Sequence, residues 1–326
     1  MRYATVAGKT FRARRLAAYS GGTNYKLLRG GKNMKWEGNR ESDNVEDRRG
    51  QGGGGGGFGF GGRSVGIGTI VVALVGSYFL GVSPMTLLNL LSGGGSGVVT
   101  TEQQGQAPAA PASDRESKFV RVVLADTEDT WTKLFRADGG EYVKPRLVLF
   151  SGQTSTACGT GDTATGPFYC PGDQKVYIDL SFFRLMQERF KVSGEFAQAY
   201  VIAHEVGHHV QSLTGVSDKV QNARRRASET QSNALSVRQE LQADCYAGVW
   251  AFHANQARQI LEQGDVEAAL KAATAIGDDA LQRQGQGHVV PDSFTHGSSE
   301  QRVRWFRKGL ESGEVAQCDT FKARQL

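Results

Sequence analysis

The sequence predicts an α+β domain, a small β-sheet packed on a mainly helical bundle and preceded by one transmembrane helix. Three observations carry this reading. Short β-branched runs with turn signals fill the stretch before about residue 180, helical periodicity dominates after it, and an uncharged apolar run lies upstream of both.

The amino-terminal segment, 1–64, is read as cytoplasmic and largely without a fold. It holds the first of two glycine runs, 52–62 and 93–97, and such sequence cannot bury enough apolar surface to fold. It carries 13 Lys and Arg against 5 Asp and Glu, a net of +8 within a chain total of +5. It has no aromatic-interleaved platform or recognition motif, so no specific nucleic-acid partner is expected. Residues 1–33 contain no useful apolar run, and the stretch opening at Met34 reads like a fresh amino terminus.

Residues 65–91 carry no charged side chain and include Ile70 to Val75 and Tyr78 to Leu80. At about 1.5 Å per residue this run spans a hydrocarbon core of roughly 30 Å. Arg48, Arg49 and Arg63 precede it, and no Lys or Arg follows before Arg115. The positive-inside rule therefore predicts a single-pass protein of the cytoplasmic (inner) membrane, its amino terminus in the cytoplasm and its carboxyl domain periplasmic or extracellular. A Gly/Ser then Ala/Pro linker, 92–117, leads to a domain at 118–326.

All four cysteines lie in that domain, and an even count outside the cytoplasm reads as disulfides. Cys158 and Cys170 bracket a Gly/Thr-rich loop and are paired, leaving Cys245 with Cys318. No Cys-x-x-Cys spacing supports a thiolate metal site.

Within the domain, Phe119–Leu124 and Val143–Phe150 read as strands, with a short helix between them capped by Asp126 or Thr127. Phe168–Cys170, a Pro-Gly-Asp turn and Lys175–Leu180 read as a hairpin. Helical patterns cover 181–190, 194–213, 217–255, 265–283 and 298–312.

The chemistry centres on His204-Glu205-Val206-Gly207-His208. On a helix, this spacing puts two imidazoles one turn apart with a carboxylate beside the first, the arrangement of a hydrolytic zinc site. Phe196, Tyr200, Ala203, Gly207 and Val210 form the core stripe, so His204 and His208 emerge at its edge. Catalytic zinc takes three protein ligands, and His2Glu is an established set. Downstream, Leu241, Cys245, Gly248 and Phe252 form a second stripe that puts Glu240 and Asp244 together on the adjacent face. Glu240 is the expected third ligand of Zn2+, and Asp244 the acid that bonds the far nitrogen of a ligating imidazole. Glu205 is the expected general base. His209 points away from His208 and is read as packing, His253 as core, and Arg224–Arg226 as a solvated helix face.

These residues resemble a family. Glu240-Leu-Gln-Ala-Asp244 after His-Glu-Val-Gly-His is similar to the gluzincin pattern of zinc endopeptidases. Gly166 to Pro171, Tyr177 to Leu180 and His296-Gly-Ser-Ser-Glu-Gln-Arg302 resemble the bacterial putative neutral zinc metallopeptidases with a single membrane anchor, from Met34 to about Phe321. The resemblance implies a zincin-like (gluzincin) fold and a membrane-anchored endopeptidase with a peptide or protein substrate. It also points to His296 as a stabiliser of the developing oxyanion, with Tyr177 a weaker candidate. The strand Lys175–Leu180 is expected to take an extended substrate by edge addition. The rival expectation is a catalytically idle, zinc-stabilised binding or assembly module of the cell envelope, against which Glu205 argues, since a structural site needs no base.

Overall fold

The computed structural model describes residues 34–50, 114–163 and 166–326. The expected span at 65–91 and nearly all of the linker lie outside the described residues. Among those described, no helix is long and apolar enough to cross a membrane.

The fold is α+β, mostly helical, with a four-stranded sheet at one side. β1 (Val45–Asp47), β2 (Arg146–Phe150), β5 (Phe168–Cys170) and β6 (Lys175–Asp179) lie in the order β1-β2-β6-β5. β1 and β2 are parallel with Val45 opposite Leu147, β2 and β6 are parallel, and β5 returns antiparallel to β6. Side chains alternate across it: Leu147, Leu149, Val176 and Ile178 enter the main core, while Val148, Phe150 and Tyr177 form a smaller cluster on the opposite face. A hairpin of β3 (Gln153–Thr156) and β4 (Gly159–Asp162) stands apart.

The first expected strand is a helix. Phe119–Leu124 lies inside α1 (Arg115–Ala137), which Asp114 caps by accepting the Ser117 N–H at 2.6 Å. Val120, Val123, Leu124, Thr127 and Trp131 share its buried side at helical spacing. Intrinsic propensities differ by less than about 1 kcal/mol per residue, so burying a whole helical face overrides β-branched preference.

α2 (Ser181–Phe190), α3 (Glu195–Leu213) and α8 (Ser299–Ser312) fall within a residue or so of expectation. The other two expected helices are each divided. The 217–255 pattern becomes α4 (Val216–Arg224) and α5 (Glu229–Arg258), because Ser228 and Gln231 form a reciprocal capping box that starts a new helix. The 265–283 pattern becomes α6 (Asp265–Ala275) and α7 (Asp278–Gln286), broken at Gly277.

Part of the segment expected to lack a fold belongs to the folded unit. Met34 and Trp36 are buried in the main core, Trp36 meets Phe119 edge-on at 5.4 Å, and β1 completes the sheet. The polar look of residues 37–49 misleads because their charges have partners, Arg40 with Glu128 and Arg49 with Asp47 and Asp114. Both disulfides are formed as paired from the sequence, Cys158 with Cys170 and Cys245 with Cys318.

Candidate metal centre

Two helices build the site. Gly207 of α3 packs against α5 so closely that a Cβ there would lie 3.1 Å from the Ala243 carbonyl oxygen. This contact brings the imidazole edge of α3 against the Glu240–Asp244 edge of α5. His204 Nε2 lies 3.2 Å from one Glu240 oxygen, and His208 Nε2 lies 3.5 Å from the other. One donor atom from each of His204, His208 and Glu240 falls within 4.8 Å of the others. Tetrahedral ligands on bonds of about 2.1 Å sit roughly 3.4 Å apart, so the three side chains fit zinc.

Each imidazole is oriented through its other nitrogen. His204 Nδ1 donates to Asp244 Oδ1 at 2.8 Å, and His208 Nδ1 donates to Gln211 Oε1 at 2.9 Å. Both tautomers thereby present Nε2 to Glu240. Gln211 is fixed in turn, its Nε2 donating to the Gln239 carbonyl and to Gln242 Oε1. Asp244 is fully buried; it accepts the Tyr200 hydroxyl at 2.5 Å and is gripped by the Arg302 guanidinium, Nε to Oδ2 at 2.9 Å and Nη2 to Oδ1 at 3.0 Å.

Electrostatics separates the two glutamates. Burial would raise Glu240, but the two imidazoles hold it well below the ordinary carboxylate range. Burial raises Glu205, and the same imidazoles offset this only in part. Burial would lower His204 and His208; the carboxylates facing them, Asp244 and Glu240 foremost, raise both instead. Glu205 lines the same cleft as the three donor residues and stands outside their set.

These residues line one cleft of about 530 Å³ together with His296. His296 Nδ1 lies 3.3 Å from Asp278 Oδ1, leaving Nε2 for the cleft, and Asp278 also accepts the backbone N–H groups of Thr295, His296 and Gly297. Burial would lower His296, yet Asp278 and Glu240 raise it. Its lining includes the apolar Phe182, Leu185, Val201 and Ile276 and the polar Ser217, Gln221 and Gln239.

Two expectations about the cleft do not hold. β6 is flanked by β2 and β5 and has no free edge; the edge bordering the cleft is β5, through Phe168 and Tyr169. Tyr177 is buried on the sheet's far face, stacked on Phe168, with its hydroxyl donating to Asp173 at 2.7 Å. His209 is buried as packing, Nε2 donating to the Val143 carbonyl at 2.6 Å and Nδ1 accepting from Tyr169. His253 lies partly buried, its Nε2 donating to the Gly313 carbonyl at 2.9 Å. Arg225 and Arg226 are exposed, whereas Arg224 reaches the cleft rim.

Sequence reasoning missed Arg302, Gln211 and Asp278 as supports. Arg302 stood inside the His296–Arg302 motif, and Gln211 stood one turn beyond His208 on the same stripe; each was visible without a partner to give it meaning.

A family model described as "Putative neutral zinc metallopeptidase" matches residues 34–321. An Escherichia coli (strain K12) protein, described as uncharacterized protein YpfJ, is 51% identical over 292 residues, 88% of this chain and 99% of that protein. A Mycobacterium tuberculosis (strain ATCC 25618 / H37Rv) protein, described as uncharacterized protein Rv2575, is 41% identical over 220 residues, 64% of this chain and 73% of its own. No solved structure matches.

Proposed function

Because the chain belongs to the putative neutral zinc metallopeptidase family, we propose that it is a zinc-dependent endopeptidase of gluzincin type with a peptide or protein substrate. The observation that carries this is the convergence of His204, His208 and Glu240 with Glu205 buried beside them and outside the ligand set.

A zinc ion held by the three side chains would supply Lewis acidity, polarising a peptide carbonyl and acidifying water. Glu205 takes a proton from the attacking water and returns it to the leaving amine. His296, as an imidazolium whose Nδ1–H is held by Asp278, offers Nε2–H to the oxyanion. The open edge of β5 aligns an extended substrate by backbone hydrogen bonds along the cleft. Attachment to the cytoplasmic membrane through 65–91, with the disulfide-bonded domain on its outer face, is part of the same proposal.

The test uses the full chain, loaded with zinc, against an unfolded protein substrate, beside Glu205→Gln. Both are expected to bind zinc, with cleavage by the variant lower by roughly 10²–10⁴-fold. If both bind zinc and neither cleaves, the idle binding or assembly module replaces the endopeptidase.

A further inference from the structure

We infer that residues 34–50 and residues 114–326 stand on the same side of the membrane, and not on opposite sides as one crossing between them would require. This rests on the membrane attachment proposed above, and it departs from the single crossing that the charge pattern predicts.

The first ground is Glu128 of α1, whose side chain is 0% exposed. Its hydrogen-bond donors are Ser42 Oγ at 2.6 Å, Asn44 Nδ2 at 2.7 Å and Arg40 Nη2 at 3.0 Å, all from the amino-terminal segment. Lys144 Nζ stands farther off, at 3.6 Å. A single crossing would take Ser42, Asn44 and Arg40 to the other side of the bilayer and strip Glu128 of all three of these hydrogen bonds, which is unfavourable.

The second ground is the sheet. β1 pairs in register with β2, which is buried from Leu147 to Phe150, and hydrogen bonds from the Leu147 N–H to the Asn44 carbonyl and from the Arg48 N–H to the Leu149 carbonyl, at 2.9 and 2.8 Å, bracket it. Removing β1 would expose that ladder edge over the core.

The third ground is the pair of exit points. Arg49 Nη1 lies 2.7 Å from Asp114 Oδ2, so the chain leaves the fold and returns to it at one place. Two of the arginines that favour a cytoplasmic amino terminus are committed to the fold: Arg49 binds Asp47 and Asp114, and Arg48 binds Glu46.

The experiment places one new cysteine at a time in the full chain, Glu37→Cys or Lys322→Cys, at side chains 72% and 87% exposed. The four native cysteines are all in disulfides, so each new thiol is the only free one. A membrane-impermeant maleimide is applied to intact spheroplasts and to lysed ones. Both positions are expected to label together, in the same preparation. Labelling of one in intact spheroplasts and of the other only after lysis would overturn the inference while leaving the attachment intact. Release of the full chain by alkaline carbonate would remove the attachment and this inference with it, without touching the peptidase reading. A second arm pairs Val45→Cys with Leu147→Cys, opposite each other in register. A cross-linked monomer is expected; a cross-linked dimer would mean that β1 is supplied by another molecule, and would also overturn it.

Discussion

Arg302 and Asp244 form a buried, two-pronged ion pair directly behind His204: the guanidinium grips both carboxylate oxygens while Asp244 accepts the His204 Nδ1–H. Asp244 has no solvent to fall back on, so Arg302 is what lets it stay ionised against the imidazole. Arg302→Met is expected to destabilise the protein by about 3–5 kcal/mol, because it strands a buried charge. Arg302→Lys, which keeps the charge and loses the fork, should fall between the two. Chemical denaturation of the full chain checks both, and wild-type stability in Arg302→Met would dismiss the pairing.

Zinc affinity sorts the ligands from their supports. Glu240→Ala should lose the metal, whereas Asp244→Asn and Gln211→Leu should weaken it by roughly 10–100-fold. Competitive titration with a chelator reads this directly. Unchanged zinc content in Glu240→Ala would refute the third ligand.

Glu128 should make stability depend on acid. Burial would raise its pKa, but Ser42, Asn44 and Arg40 lower it below the ordinary value. A depressed folded pKa gives stability that is present above the unfolded value of about 4.3 and is lost as pH falls through the folded one. Glu128→Gln should cost about 1–3 kcal/mol at neutral pH and flatten the loss of stability below about pH 4.3. Denaturant midpoints from pH 3 to 7 test it; a parallel offset at every pH would count against Glu128 as the titrating group.

His296 should act on turnover more than on binding. His296→Ala is expected to lower kcat by roughly 10²–10³-fold with little change in KM, the pattern of a donor used in the transition state. Steady-state kinetics on one peptide decides the point, and a fall confined to KM would assign His296 to substrate binding.

The close contact of α3 with α5 should be costly to widen. In Gly207→Ala the new methyl meets backbone of Ala243 at 3.1–3.2 Å, and backbone cannot turn aside. A loss of about 1–3 kcal/mol is expected, with weaker zinc binding, since the same contact sets the gap between the imidazoles and Glu240. Calorimetry and zinc titration on one sample would show whether the two effects travel together.

Much of this was legible in the sequence. The two site helices announce themselves by periodicity, and once they pack by their core stripes, the faces bearing His204, His208, Glu240 and Asp244 must meet. The failures are long-range. Phe119–Leu124 has strand-like residues, and only the face it buries against α3 and α5 makes it helical. Residues 34–50 look like solvated charge because the partners that tie them to the fold lie far along the chain, Arg49 being 65 positions from Asp114 and Arg40 88 from Glu128. Arg302 was in plain view inside a quoted motif, yet a lone arginine has no assigned task until Asp244 appears beside it.

The disulfide between Cys245 and Cys318 bears on the order in which the site can mature. Cys245 follows Asp244 directly, Gln242 Nε2 donates to the Cys318 carbonyl at 3.0 Å, and Gln242 also holds the Gln211 that orients His208. Arg302 too lies far downstream of the ligands. A nascent chain that has emerged only as far as Asp244 owns the three proposed metal ligands, Glu205, and the Asp244 and Gln211 that orient the imidazoles, but Arg302 and Cys318, which hold Asp244 and Gln242 in place, are still to be synthesised. Full support of both imidazoles therefore waits for α8 to dock and for the Cys245–Cys318 disulfide to close.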